Sequence, residues 1–382
     1  MRSAVTILVF CVAALLALGM VMLYSSSMAQ VGTHYLMKQL IWCVPAVGLC
    51  VAAARTDYRV LRRAAIPLLA FAAILLVMVL VTHKTNGARR WFNFGGIRFQ
   101  PSELGKIAMI IALAWYGEHF QRRMRTFKWG IVIPGAFIGV MLLLIYVEPD
   151  RGTTILMAAV TGAMLVIAGV RLIYFAPPTV LGLTAFVALI LNDPLRLKRI
   201  FGWLYLEEHK QGVGYQAYQA MVALGAGGLF GRGLGNGRQK LGFVPEHHTD
   251  FILSIIGEEL GLVATLLVLA AFLVIVICGI YIAVHASDFF GFLLASGLTF
   301  LIGLQAFINI GVVTSALPNK GLPLPFISYG GSNLLMMLFT VGLLLSVARR
   351  ARGPELAGLG VGADDEEEPA GNGARRASSQ VP

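Results

Sequence analysis

Charge is what this chain has least of. Only 13% of its 382 residues are Asp, Glu, Lys or Arg against 58% hydrophobic, and the mean hydropathy is +0.79. So little polar surface excludes a water-soluble globule of this length and makes the bilayer the solvent in which every residue must be read. Acids are scarcer still, 19 against 30 bases, for a net charge of +11; the expected partners are membrane lipids and an anionic ligand, with no nucleic acid. There are four cysteines, Cys11, Cys43, Cys50 and Cys278, all inside apolar segments and without metal-type spacing, so they read as small core residues and exclude a disulfide framework. Internal repeats at solenoid periods are absent, and no symmetry relates the halves, which disfavours an inverted-repeat transporter. Seven glycines fall between 225 and 237, yet neither a preceding strand nor a Gly-Lys-Ser/Thr ending accompanies them, which excludes a phosphate-binding loop. A flexible or re-entrant hinge over a cavity is expected there.

What the chain does have is apolar runs. Ten segments, at about 4–24, 36–54, 64–82, 104–118, 130–147, 153–170, 172–191, 258–284, 289–313 and 330–348, have the length and character of membrane helices. The fold class expected is an all-α polytopic membrane protein of ten transmembrane helices, residues 1–350, with a long outer loop, 192–249, between the seventh and eighth. The first segment exceeds a secretory h-region and reads as a retained anchor. Residues 351–382, with the acid run 364–368, read as a disordered cytoplasmic tail. Arg55, Arg59, Arg62 and Arg63, then Arg122, Arg123, Arg125 and Lys128, then Arg349, Arg350 and Arg352 mark cytoplasmic loops, which puts both termini inside. Two outer segments run against that rule: 84–98 carries Lys84, Arg89, Arg90 and Arg98, and 192–249 carries seven further bases. Basic charge held outside against the topological bias points to an anionic ligand or to anionic headgroups.

Three polar elements interrupt the apolar pattern. In "FQPSELGKIAMIIALAWY", Pro101 and Ser102 start a helix with Glu103 in its first turn, where an acid is favourable. Lys106, one turn in, opposes the helix dipole and loses water, so it needs an anionic partner. Glu103 at i−3 is one; Asp250 across the bundle is the other. In "FVPEHHTDFILSIIGEELG", Thr249 reads as an N-cap and Asp250 as a first-turn residue, with Glu246, Glu258 and Glu259 as further acids. A single helix over 250–284 would extend about 52 Å against roughly 30 Å of hydrocarbon, so either its first turns stand outside lipid or it breaks near Gly257 or Gly261. Both options keep Glu258 and Glu259 out of lipid, as a structural rim. In "NIGVVTSALPNKGLPLPFISYGGSNLL", Ser328 and Tyr329 either offer polar groups to a ligand or turn the chain.

With these residues in view, "NGARRWFNFGGIRFQPSELGK", "EPDRGT", "GLFGRGLGNGRQKLGFVPEHHTDFILSIIGEELG" and "LPNKGLPLPFISYGGS" together resemble the SEDS (shape, elongation, division, sporulation) family of bacterial cell-wall polymerases. The stretches "GEELG" and "NKGLPLPFISYGGS" are more FtsW-like, the division branch, than RodA-like, the elongation branch. Arg151 stands where the family often has an apolar or aromatic residue. The resemblance implies peptidoglycan glycosyltransferase activity on lipid II in the bacterial cytoplasmic membrane, at the division septum for an FtsW-like member. It maps the essential aspartate onto Asp250, the helix-four Glu and Lys onto Glu103 and Lys106, and the arginine of the "RW" motif onto Arg90. It also implies lipid II and the growing glycan strand as ligands, a class B penicillin-binding transpeptidase as partner, and divisome membrane proteins besides.

The chemistry agrees. Converting an α-linked pyrophosphate into a β-1,4 bond inverts the anomeric carbon in one displacement, which needs one base and positive charge around the leaving group. Asp250 is the expected base; Lys106, Arg90 and Arg98 the expected pyrophosphate contacts; Glu103 the residue orienting Lys106. A divalent cation, Mg or Mn, is compatible with the pyrophosphate, but no dedicated ligand cluster is visible. A lipid II flippase is the rival reading.

Overall fold

In lipid an unpaired backbone N–H or C=O has no water to turn to, so apolar runs of this length resolve into helices that satisfy themselves. The computed structural model describes residues 1–82, 89–94, 97–191, 194–243 and 248–351, and among them helix dominates. The helices are α1 (Arg2–Val31), α2 (His34–Arg55), α3 (Val60–Leu80), α4 (Pro101–His119), α5 (Ile133–Val147), α6 (Arg151–Ile167), α7 (Ala176–Leu191), α8 (Pro194–Leu204), α9 (Tyr215–Gly227), α10 (Ile252–Val284), α11 (Phe289–Val313) and α12 (Gly331–Arg349). Each of the ten expected apolar segments falls on a helix, while α8 and α9 belong to the outer loop. Seven are long and apolar enough to cross a membrane by themselves: α1, α2, α3, α5 with the π-helical turn Lys128–Val132 before it, α10, α11 and α12. Residues 352–382, where the acidic tail was expected, lie outside the described residues, as do Lys84 and Glu246.

The centre of the bundle is α4, α11 and α12, whose residues are mostly buried. α2 packs on α12, α3 on α4, and α10 on α11. Burial on all sides matters for the site, since any polar side chain on α4 or α11 must find a protein partner.

Before α4 the chain makes a short antiparallel hairpin that the sequence reading did not anticipate, β1 (Phe92–Phe94) with β2 (Ile97–Phe99), registered Phe92 to Phe99 and Asn93 to Arg98. It presents Arg98 beside the start of α4, with Arg90 just ahead of β1.

α10 is interrupted as its length requires. Gly261 has φ 80 and ψ −174 inside the helix, a left-handed conformation open to glycine, and the break sits at the second of the two candidate positions. The glycine-rich segment fills the gap: the N–H groups of Arg232 and Gly233 donate to the carbonyls of Glu258 and Glu259, while those of Leu262 and Val263 donate to Gly228 and Leu229. What was expected to be a flexible hinge is therefore stitched into the kink on both sides.

α9 is packed into the bundle. The apolar stretch 215–224 has the composition of a helix lying on the membrane surface, but Ala217, Ala220 and Ala223 are buried and the helix packs on α10, so closely that a Cβ at Gly227 would collide with the carbonyl of Gly257. Its small-residue face suits close helix contact better than immersion in headgroups. The basic, amphipathic sequence of α8 fits the interfacial role instead, and Trp203 Nε1 pins it by donating to the Ser315 carbonyl at 2.8 Å.

Candidate active site

α4 begins as the sequence predicts, with Pro101 at its first position and Glu103 in its first turn. Lys106 is buried to 1% exposure, and its ammonium pairs with Glu103 Oε2 at 2.8 Å. Two amides complete the arrangement: Lys106 Nζ donates to Gln305 Oε1 at 3.0 Å, and Asn333 Nδ2 donates to Glu103 Oε2 at 3.1 Å. Between the two partners considered for Lys106, the ion pair formed is the one along its own helix face. Three helices, α4, α11 and α12, thus meet on one buried, charge-balanced pair.

Asp250 stands differently. α10 starts at Ile252 with Phe251 as its N-cap, so Asp250 precedes the helix instead of occupying its first turn, and Thr249 is not the cap. The cause is side-chain capture of the preceding backbone. Asn309 Nδ2 donates to the Asp250 carbonyl at 2.7 Å, and Ser328 Oγ donates to the Thr249 carbonyl at 2.6 Å. The carboxylate of this half-buried residue lies against Gly321, where an added Cβ would stand 2.9 Å from Oδ2. Glycine leaves the acid room at its mouth.

Two amides on α11 connect these parts. Gln305 and Asn309 are four residues apart on one buried face. Gln305 holds Lys106 through Oε1 and the Pro323 carbonyl through Nε2 at 2.9 Å; Asn309 shares its Nδ2 between the carbonyls of Asp250 and Leu322, each at 2.7 Å. One helical turn of α11 therefore sets the buried cation, the segment 321–323 and the proposed base relative to one another.

Ser328 is fully committed within the protein, accepting from Leu324 N at 2.8 Å while donating to Thr249. It turns the chain and holds the segment bearing Asp250. Tyr329 N donates to the His248 carbonyl, and its ring joins Tyr35, which stacks on His248 at 4.2 Å. Burial and the neighbouring Tyr35 phenol raise the Tyr329 pKa, with Arg98 pulling it the other way, which places Arg98 near this edge of the site. Gln39 of α2 fixes the same turn through the Ser328 carbonyl and Gly330 N.

Arg90 is half-buried. Its Nε donates to the Glu148 carbonyl at 2.9 Å and its Nη2 to that of Pro149. Asp150 caps α6, accepting from Thr153 N, Thr153 Oγ1 and Gln100 Nε2. Glu148, one residue beyond α5, is wholly buried, and burial, with Asp150 adding to it, pushes its carboxyl up to about 8.

The acids of "GEELG" serve the kink. Glu259 pairs with Lys240 at 2.6 Å and accepts from Ser25 Oγ at 2.6 Å and Gly235 N at 3.0 Å; Glu258 accepts from Arg238 N at 2.8 Å and Gln239 N at 3.1 Å. Among the described residues no three His, Cys, Asp or Glu side chains converge as a metal cage, so a divalent cation would depend on substrate oxygens for most of its ligands.

The arrangement combines a partly exposed carboxylate, two outer guanidinium groups and a buried, neutralised ammonium. Such a site can deprotonate a hydroxyl beside a bound anion. Residues 6–353 match the cell cycle protein family that groups FtsW, RodA and SpoVE. The chain is 41% identical over 351 residues, 90% of its length and 92% of the relative's, to a probable peptidoglycan glycosyltransferase FtsW of Trichlorobacter lovleyi. It superposes with a TM-score of 0.75 and 28% identity on a chain from a peptidoglycan synthase complex that coordinates polymerization and crosslinking, covering 90% of this chain and 96% of that one. The rod shape determining protein RodA of Thermus thermophilus gives a TM-score of 0.67 at 28% identity, covering 91% and 97%.

Proposed function

The chain belongs to the FtsW/RodA/SpoVE family of cell cycle proteins, and from that premise we propose how its site works as a peptidoglycan glycosyltransferase of the FtsW kind, polymerising lipid II for septal wall synthesis. The observation that carries the mechanism is Asp250 held ahead of α10, its main chain fixed by Asn309 and its carboxylate left beside a glycine. Asp250 takes the proton from the 4-hydroxyl of the acceptor sugar as that oxygen attacks the anomeric carbon of the other substrate. The α-linked undecaprenyl pyrophosphate departs from the opposite face, and one inversion yields the β-1,4 bond.

Arg90 and Arg98, which reach the outer surface, receive the departing pyrophosphate; fixed cations at a developing anion act without reorganisation at the moment of reaction. Lys106 works from beneath. Its charge is balanced by Glu103, and the pair, tied to Gln305 and Asn333, fixes α4, α11 and α12 relative to one another. The pyrophosphate is already a good leaving group, and no general acid is required. A class B penicillin-binding transpeptidase as partner is supported by the likeness to a chain of a polymerizing and crosslinking complex.

The test uses purified protein with its transpeptidase partner in proteoliposomes carrying labelled lipid II. Asp250→Ala and Asp250→Asn are expected to lower polymer formation by about a hundred- to ten-thousandfold, the range for loss of a general base. Their thermal midpoints are measured alongside, so that lost polymer is read as lost chemistry where the fold is retained; Asn309 still holds the main-chain carbonyl of residue 250 in both variants. Normal polymer from either variant removes Asp250 as base; wild-type protein that flips lipid II without making polymer replaces the reaction with transport.

A further inference from the structure

Two acids lie two residues apart in the turn between α5 and α6, yet they are treated oppositely. Asp150 receives three donors, Thr153 N, Thr153 Oγ1 and Gln100 Nε2, the environment of an ionised carboxylate. Glu148 receives none among the described residues: it is 0% exposed and neither carboxyl oxygen has a hydrogen-bond partner. A bare carboxylate in that position would be far more costly than a neutral carboxyl. The cation beside it is Arg90, whose Nε and Nη2 are spent on the main-chain carbonyls of Glu148 and Pro149 and which forms no ion pair within 4.0 Å of the Glu148 side chain. The guanidinium is therefore aimed by the backbone of this turn, and its charge is left uncompensated by the turn's own glutamate.

We propose that Glu148 is a positioning residue that acts by holding a proton: protonated, it leaves the Arg90 charge available to the anionic leaving group, and on ionising it draws Arg90 into a buried ion pair and weakens that grip. The inference rests on Arg90 contacting the pyrophosphate. The charged groups facing Glu148 are Asp150 from the start of α6 and Arg90 from the segment before β1; Asp150 opposes its ionisation and Arg90 favours it. The proton exchanged goes to and from solvent, and no bond to substrate is made or broken.

The sign follows from the raised carboxyl. Glu148 is neutral at pH 7 and ionises around pH 8, so its contribution is present on the neutral side and lost as the medium becomes alkaline. A group titrating there falls about tenfold in its protonated fraction between pH 7 and pH 9. Stability runs the same way. The native state retains a proton that the unfolded chain releases from about 4.5 upward, so stabilisation present below that value is lost as pH rises through about 8.

The experiment compares the pH 9 to pH 7 ratio of polymerisation in wild type and Glu148→Gln, whose amide mimics the protonated form. Wild type should give a ratio of about one tenth, and the glutamine variant a ratio near one. Parallel profiles overturn the proposal. A second measurement does not depend on activity: infrared difference spectra between pH 7 and pH 9 should show loss of a protonated-carboxyl band in wild type that Glu148→Gln lacks. Absence of that band in wild type equally overturns it. Arg90→Ala separates the two levels of the argument. If that variant polymerises normally, the assignment of Arg90 to the leaving group fails; if it is impaired while the profiles are parallel, the role of Glu148 alone fails.

Discussion

At the scale of single residues, the ion pair of Glu103 and Lys106 decides most. Both side chains are almost wholly buried, and removing one partner from such a pair typically costs about 3–5 kcal/mol because a lone charge stays behind. Lys106→Ala should therefore lower the thermal midpoint in detergent as well as activity. The double variant Glu103→Gln/Lys106→Met removes both charges, and it should recover most of the stability while leaving polymerisation low. Recovery of both would reduce the pair to scaffolding. These residues were legible in the sequence because a charge in an apolar run is conspicuous: Lys106 at the wrong end of a helix demanded a partner, and Glu103 stood at i−3. Asp250 was legible for the same reason. The amides were not. Gln305, Asn309, Asn333 and Gln39 carry no charge, and the first two sit singly among apolar neighbours, where a polar residue is unremarkable. Only the helical spacing of Gln305 and Asn309, which puts both on one face, was there to single them out.

At the scale of elements, arithmetic on length served well and local composition served less well. A 33-residue α10 had to break, and two glycines were candidates; Gly261 takes the break because residues 228–233 supply hydrogen bonds there. Nothing local to "GLFGRGLGNG" says where it docks, since its bonding partners lie about thirty residues later in the chain. For the same reason the glycines read as freedom when they in fact permit close approach. Gly261→Ala should destabilise by more than the roughly 1–2 kcal/mol of a left-handed residue alone, since its Cβ would also collide with the backbone of 229–231. Thermal midpoints in detergent measure this, and an unshifted midpoint would mean that the loop is not docked. The turn of α11 that carries Gln305 and Asn309 makes a complementary prediction. Asn309→Ala frees the carbonyls of Asp250 and Leu322, two bonds worth about 1 kcal/mol each net, but what it loosens is the placement of the base. The expected signature is kcat lowered at least tenfold with KM within about twofold, since misplacement of a reacting group acts on the chemical step. A rise in KM with kcat intact would instead assign Asn309 to substrate binding.

At the scale of the whole molecule, the distribution of charge couples orientation to chemistry. The bases at 55–63, 122–128 and 349–350 follow or close α2, α4 and α12, and the proposed topology, with each of the ten apolar helices as one pass, puts them on one side. The same proposed topology puts Asp250, Arg90, Arg98 and the kink clamp of Glu258, Glu259 and Lys240 on the other. A polymerase arranged this way uses lipid-linked substrate in the outer leaflet and releases glycan outside, whereas a transporter needs an equivalent basic pocket facing the cytoplasm. The four native cysteines all lie within helices, so the background can be made cysteine-free with little disturbance of loops. In that background Asn236→Cys, on the exposed loop beside the kink, should react with a membrane-impermeant maleimide added to intact spheroplasts, and Arg122→Cys should react only after permeabilisation. In proteoliposomes sorted by the same labelling, polymer should accumulate on the Asn236 face. Labelling of both positions from one side would overturn the topology; polymer on the Arg122 face would leave the topology standing and move the reaction away from Asp250.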